Sequence, residues 1–166
     1  MKHNGTVSDM EQISTISIGR SRLALLLLAS SVFAVGTEGL VFAGLLPALS
    51  SDLGVSLGAA GQVTTVFALC YAVFAPLLSM STESLPRRTT LLIGLGLFVA
   101  GNALSATAPA YWCLLIWRAV TAAGASLITP TATLIAASLA RPDGRARAIA
   151  VVMTGMTVAT AAGAPL

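Results

Sequence analysis

Residues 23–49 read LALLLLASSVFAVGTEGLVFAGLLPAL, an apolar run broken by a single charge, Glu38. A helix that crosses the hydrocarbon core of a bilayer needs about 20 residues at a rise of about 1.5 Å each. The run exceeds that length and reads as a membrane-spanning helix. Four more follow, at 57–80, 89–108, 110–140 and 148–166. The second carries no charge, whereas the fourth contains Arg118 and also Pro130, an expected kink that neighbouring helices can accommodate. The expected fold class is an all-α membrane protein of five transmembrane helices. Residues 1–22, polar and rich in Ser and Thr, read as a flexible leader, and 23–166 as the helical membrane domain.

Composition closes off the other classes. The chain has 166 residues, 56% hydrophobic and only 9% charged, against about 25% charged in an ordinary soluble domain. A water-soluble globule would have to expose most of that apolar material. Disordered chains show the opposite balance, poor in aliphatic residues and rich in charge. Cys70 and Cys113 both fall inside apolar runs, so they read as small packing residues and not as a disulfide framework. His3, the single histidine, stands alone in the leader, and no metal-ligand cluster, phosphate-binding loop or cofactor motif is present.

The net charge of +3 does not mark a nucleic-acid partner, because the positive residues collect in the breaks between apolar runs. Lys2, Arg20 and Arg22 precede the first run, Arg87 and Arg88 follow the second, and Arg141, Arg145 and Arg147 follow the fourth. The alternate breaks hold only Asp52 and the uncharged turn at Pro109. Cytoplasmic loops collect Lys and Arg, so a cytoplasmic N-terminus in a plasma (inner) membrane follows. A secretory signal over Arg20 to Ala34 would match the basic and apolar regions of such a peptide. The apolar run continues past Ala34, however, and an uncleaved first helix is the simpler reading.

Glu38 and Arg118 are the candidates for chemistry. A charge well inside a span costs about 2.5–3.5 kcal/mol on insertion scales unless a partner or a cavity receives it. Glu38 is either a structural glutamate bonded between helices or a protonatable group in a transport pathway, and Arg118 either snorkels to the interface or faces the same cavity. Counted at about 1.5 Å per residue, both fall in the same half of the membrane, within reach of each other. Arg118, Thr121, Ala125 and Thr129 share one helical face. Ser31 lies on the face of Glu38, while Gln62 and Thr65 sit together on the second run. These five polar residues, Ser31, Gln62, Thr65, Thr121 and Thr129, are candidate cavity residues. The simpler alternative for them is hydrogen bonding within the bundle. Gly155, Ala159 and Gly163, four apart, form a small-residue seam that permits close helix approach, with Pro165 just beyond it.

Taken together, these stretches resemble the major facilitator superfamily, in its proton-coupled drug-efflux branch near the arabinose-efflux and chloramphenicol-resistance permeases. TEGLVFAGLLPALSSDLGVSLGAAGQ at 37–62 resembles the first-helix to second-helix region of that branch. SMSTESLPRR at 79–88 is similar to the family's loop pattern through Glu83, Arg87 and Arg88, with Ser79, Ser84 and Pro86 where Gly, Arg and Gly are usual. RAVTAAG at 118–124 resembles the fourth-helix motif, with Ala122 for its first glycine and Gly124 in place. GMTVATAAGAP at 155–165 resembles the fifth-helix antiporter motif, with Ala164 inserted before Pro165.

The resemblance implies a proton-coupled exporter of a small organic compound, built from two six-helix halves with the substrate between them. By it Glu38 and Arg118 are expected to couple the proton. Glu83, Arg87, Arg88, Gly124, Gly155, Gly163 and Pro165 are expected to serve gating and packing. The expected partners are the lipid bilayer, protons, the substrate and further C-terminal helices, since five spans are less than one half. An alternative from another class is a channel or assembly subunit with Glu38 lining a pore. An intramembrane enzyme is not expected, because no nucleophile and base pair stands in the spans.

Overall fold

The computed structural model describes residues 5–163, and all of its regular structure is helical. Five α-helices follow in order: α1 (Gly5–Asp52), α2 (Leu57–Ser81), α3 (Arg87–Ala106), α4 (Tyr111–Leu139) and α5 (Arg145–Gly163), with one 3₁₀ turn at Pro142–Gly144. The helical backbone of α1 begins at Gly5, so it runs through most of the stretch read as a leader and into the first span without a break. Lys2, His3 and Pro165 lie outside the described residues.

Among the described residues, four helices are long and apolar enough to cross a membrane: Ser21–Asp52 within α1, then α2, α3 and α4. The fifth, α5, opens on Arg145 and Arg147, which offset the apolarity of its remaining turns. Local chemistry sets the breaks. The link between α1 and α2 turns at Gly54, whose φ of 61° suits glycine. Ser56 then caps α2 by accepting from the Ala59 N–H at 3.2 Å. Pro142 cannot continue α4, and Arg141 before it is extended. Pro130, by contrast, sits inside a continuous α4.

The bundle is organised around α4, which packs against α1, α2, α3 and α5. Its core is made mostly of small and β-branched residues, with Leu28 and Phe98 among them. Leu28, Val32, Ala132, Ala136, Ala148 and Val152 join α1, α4 and α5, and Val35, Phe98, Ala125 and Ile128 join α1, α3 and α4. Leu26, Leu69, Leu92, Ile116 and Trp112 point outward and are exposed, the arrangement that lipid permits and water does not.

Glycines set the distances between helices. A Cβ on Gly124 would stand 2.6 Å from the Gly94 carbonyl oxygen, and one on Gly94 would stand 3.1 Å from that of Gly124, so α3 and α4 touch along their backbones. A Cβ on Gly155 would run into the Ala29 carbonyl, and one on Gly36 would lie 2.9 Å from the Ala159 Cβ. Gly155 and Ala159 are thus the seam by which α5 lies against α1, and Gly163 is the last residue of α5.

Helix direction sorts the loops into two ends, and contacts tie each end together. Arg22, Gly144 and Arg147 line one cleft, which brings the start of the first span beside the start of α5. Arg87 donates from Nη1 to the Leu134 carbonyl at 3.1 Å, placing the α2–α3 loop at the same end. At the other end Asp52 shares a cleft with Ser105 and Leu114, and the Tyr111 hydroxyl donates to the Ala59 carbonyl at 2.7 Å.

Candidate functional site: a buried ion pair between two spans

The site begins with Arg118, on the second turn of α4, whose side chain is 0% exposed. Its Nη1 donates to Oε1 of Glu38, which is itself buried at 6% exposure on α1. The two intramembrane charges therefore meet, across the contact between α1 and α4. Pairing lowers the cost of carrying either charge in an apolar bundle, and the loss of one partner would leave the other stranded.

The pair is incompletely satisfied. Among the described residues, Oε2 of Glu38 and Nε and Nη2 of Arg118 have no hydrogen-bond partner. Two aromatic rings bracket the guanidinium instead. Its Cζ lies 3.9 Å from the ring centroid of Phe42 and 4.5 Å from that of Phe67. Phe42 is one helical turn beyond Glu38, while Phe67 comes from α2 and sits beside Tyr71, ring centroids 6.2 Å apart. Glu38 also borders a cleft of ≈ 400 Å³ between α1 and α3, lined by Thr37, Phe42, Phe98 and Asn102 among others. The site thus offers an acid reachable from a cleft, a permanent cation beside it and an apolar wall.

The other sequence candidates scatter around this centre. Thr121 is fully buried, donates to the Trp117 carbonyl at 2.9 Å, and packs against Gly101 of α3. Ser31 donates to the Leu27 carbonyl at 2.9 Å, and Thr129 is half-buried on α4. Gln62 and Thr65 are exposed on α2. These five do not border the Glu38 cleft. Glu83 and Arg87 line a separate cleft with Thr131 and Leu134, and Arg88 is exposed. Gly124 and Gly155 are buried at helix contacts.

Sequence reading passed over Phe42, Phe67, Asn102 and Thr37. The signal for Phe42 was available, since a residue four beyond Glu38 stands on the same helical face. Phe67 had no such mark. Only the packing of α2 against α4 brings it to Arg118.

A bundle of helices long and apolar enough to cross a membrane, with an acid and a guanidinium buried between two of them, belongs to the class of multi-pass membrane proteins. Residues 26–166 match the family model of the Major Facilitator Superfamily, and the chain belongs to that family of transporters. It is 41% identical over 143 residues to a chloramphenicol resistance protein of Streptomyces lividans, covering 86% of this chain and 36% of that protein. It is 39% identical over 140 residues to the uncharacterized MFS-type transporter YbcL of Bacillus subtilis, covering 84% and 36%. To the inner membrane transport protein YdhP of Escherichia coli K12 it is 33% identical over 141 residues, covering 85% and 36%. The chain spans about a third of the length of these relatives.

Proposed function

We propose that this chain forms part of a proton-coupled secondary exporter of a small organic compound, with Glu38 carrying the exchangeable proton and Arg118 tuning it. The observation that carries this reading is the buried Glu38–Arg118 pair, in which the acid keeps one oxygen unpartnered and borders a cleft. An intramembrane acid of this kind changes charge state when its access to water or its distance from the cation changes. A helix movement that opens the pair favours uptake of a proton, and closure expels it. Export as the direction is supported by the name of the chloramphenicol resistance relative.

The residues at the charged end fit a gating role. Arg87 ties the α2–α3 loop to α4 through the Leu134 carbonyl, and Glu83 shares that cleft. Breaking this contact would free one end of α4. The charge asymmetry of the loops supports a cytoplasmic N-terminus in a plasma membrane.

Glu38→Gln tests the reading, because it keeps the shape and removes the titration. In a complete transporter carrying residues 26–166 as the matching segment, the variant is expected to insert at normal levels and to lose export driven by a proton gradient. Normal export with an unchanged dependence on that gradient makes the acid structural and ends the proposal.

A further inference from the structure

We propose that Phe42 and Phe67 are an aromatic clamp that positions Arg118 and holds its positive charge while Glu38 is protonated. The proposal rests on the reading that Glu38 exchanges a proton. A guanidinium has five N–H donors. In this structure Nη1 meets Glu38, whereas Nε and Nη2 find no acceptor among the described residues, although the side chain is fully buried. A cation so placed needs stabilisation from something besides one carboxylate oxygen. The rings at 3.9 and 4.5 Å from Cζ supply it, since both lie inside the range of about 6 Å over which a ring face attracts a cation.

The placement of the rings suits a proton step. Phe42 rides on the same helix as the acid, and Phe67 reaches the cation from α2, so the guanidinium is held from two elements. When Glu38 takes a proton, one O–H bond forms on the carboxylate, the proton coming from water that enters the cleft, and the acid becomes neutral. Arg118 then loses its counter-charge, and the ring faces carry a larger share of its stabilisation than they do in the ion pair. Their attraction keeps the guanidinium in place, ready to meet the carboxylate again when the proton leaves.

Other charged groups stand away from the pair along their helices. Arg22 and Asp52 flank the span of α1, Arg87 and Arg88 start α3, and Arg145 and Arg147 start α5. The α2 helix holds no charged residue, and its Tyr71 lies beside Phe67. Among the described residues, the one other acid on a span is Asp52, which closes the first span at its far end from the start of α1 and well along the helix from Glu38.

The test uses a complete transporter carrying residues 26–166 as the matching segment, in lipid nanodiscs. Dicyclohexylcarbodiimide, an apolar reagent that adds to protonated carboxyl groups, is applied across a pH series, and adduct on Glu38 is read by mass spectrometry. Removing the rings by Phe42→Leu with Phe67→Leu leaves the protonated state with a poorly held cation. Half-maximal labelling is expected to move about one pH unit toward acid, a tenfold loss of protonated Glu38 at fixed pH. Phe42→Tyr and Phe67→Tyr keep the ring faces and are expected to keep the native profile. Circular dichroism checks folding, and if the double variant loses helicity the single Phe67→Leu carries the comparison. A native profile in the folded Leu variants overturns the clamp and leaves the proton reading standing. Labelling of the native chain that does not vary with pH overturns the proton reading, and the clamp with it.

Discussion

Arg118 and Glu38 illustrate how one charge in a membrane makes its neighbour necessary. Each is costly without the other in an apolar bundle, and each satisfies only part of the other. Arg118→Leu leaves the Glu38 carboxylate buried without a cation, and is expected to cost about 3–5 kcal/mol. Glu38→Gln with Arg118→Leu removes both charges and is expected to recover most of that loss, as read by unfolding in mixed detergent. A double variant as unstable as Arg118→Leu alone would show that the cost lies in lost packing and not in the stranded charge. Arg118→Lys is expected to keep the charge and not the function, since a compact ammonium lacks the planar fork that meets Oε1 while its Cζ stands over Phe42 and Phe67.

At the scale of helices, backbone contact replaces the hydrophobic effect that drives soluble cores, because lipid tails are as apolar as leucine. Gly124 against Gly94 fixes α3 on α4, and Gly155 against Ala29 fixes α5 on α1. Gly124→Val or Gly155→Val is expected to destabilise the bundle by at least the roughly 1–3 kcal/mol of an overpacked core, since the atoms in the way are backbone. Gly39→Ala and Gly96→Ala meet nothing within 4 Å and are expected to leave stability unchanged. Equal effects in the two sets, measured by detergent unfolding, would remove the seams from the account. Gly124 and Gly155 thus stand where a Cβ would meet the backbone of the neighbouring helix.

For the whole molecule, the two ends differ in charge, and the same division is visible in the contacts that gather each end. An enzyme reporter that works only outside the cytoplasm, fused after Asp52, is expected to give signal, and the same reporter after Arg145 is expected to be silent. The reverse pattern would invert the orientation. The apolar runs at 57–80 and 110–140 lie on the helices Leu57–Ser81 and Tyr111–Leu139, whereas the helix that holds the run at 23–49 begins at Gly5, because apolarity marks a span and not the polar turns that continue its helix. The cavity was not legible in the same way. Thr121 shares a face with Arg118 as its spacing predicts, but that part of the face is covered by Gly101 of α3. Periodicity states which residues of a helix stand together, and says nothing of which neighbour they meet.

The sequence by itself determined the class of fold, the apolar runs that the helices carry, and the two intramembrane charges. These follow from local properties: the length of an apolar run, a proline that ends a helix, and the cost of charge in hydrocarbon. Only the tertiary structure decided that α4 is the central helix, that Glu38 and not the lipid interface receives Arg118, and that rings from α1 and α2 enclose the guanidinium. The physical reason is that a span buries its backbone hydrogen bonds within itself. Its neighbours are therefore chosen by surface fit, which no single stretch of sequence contains.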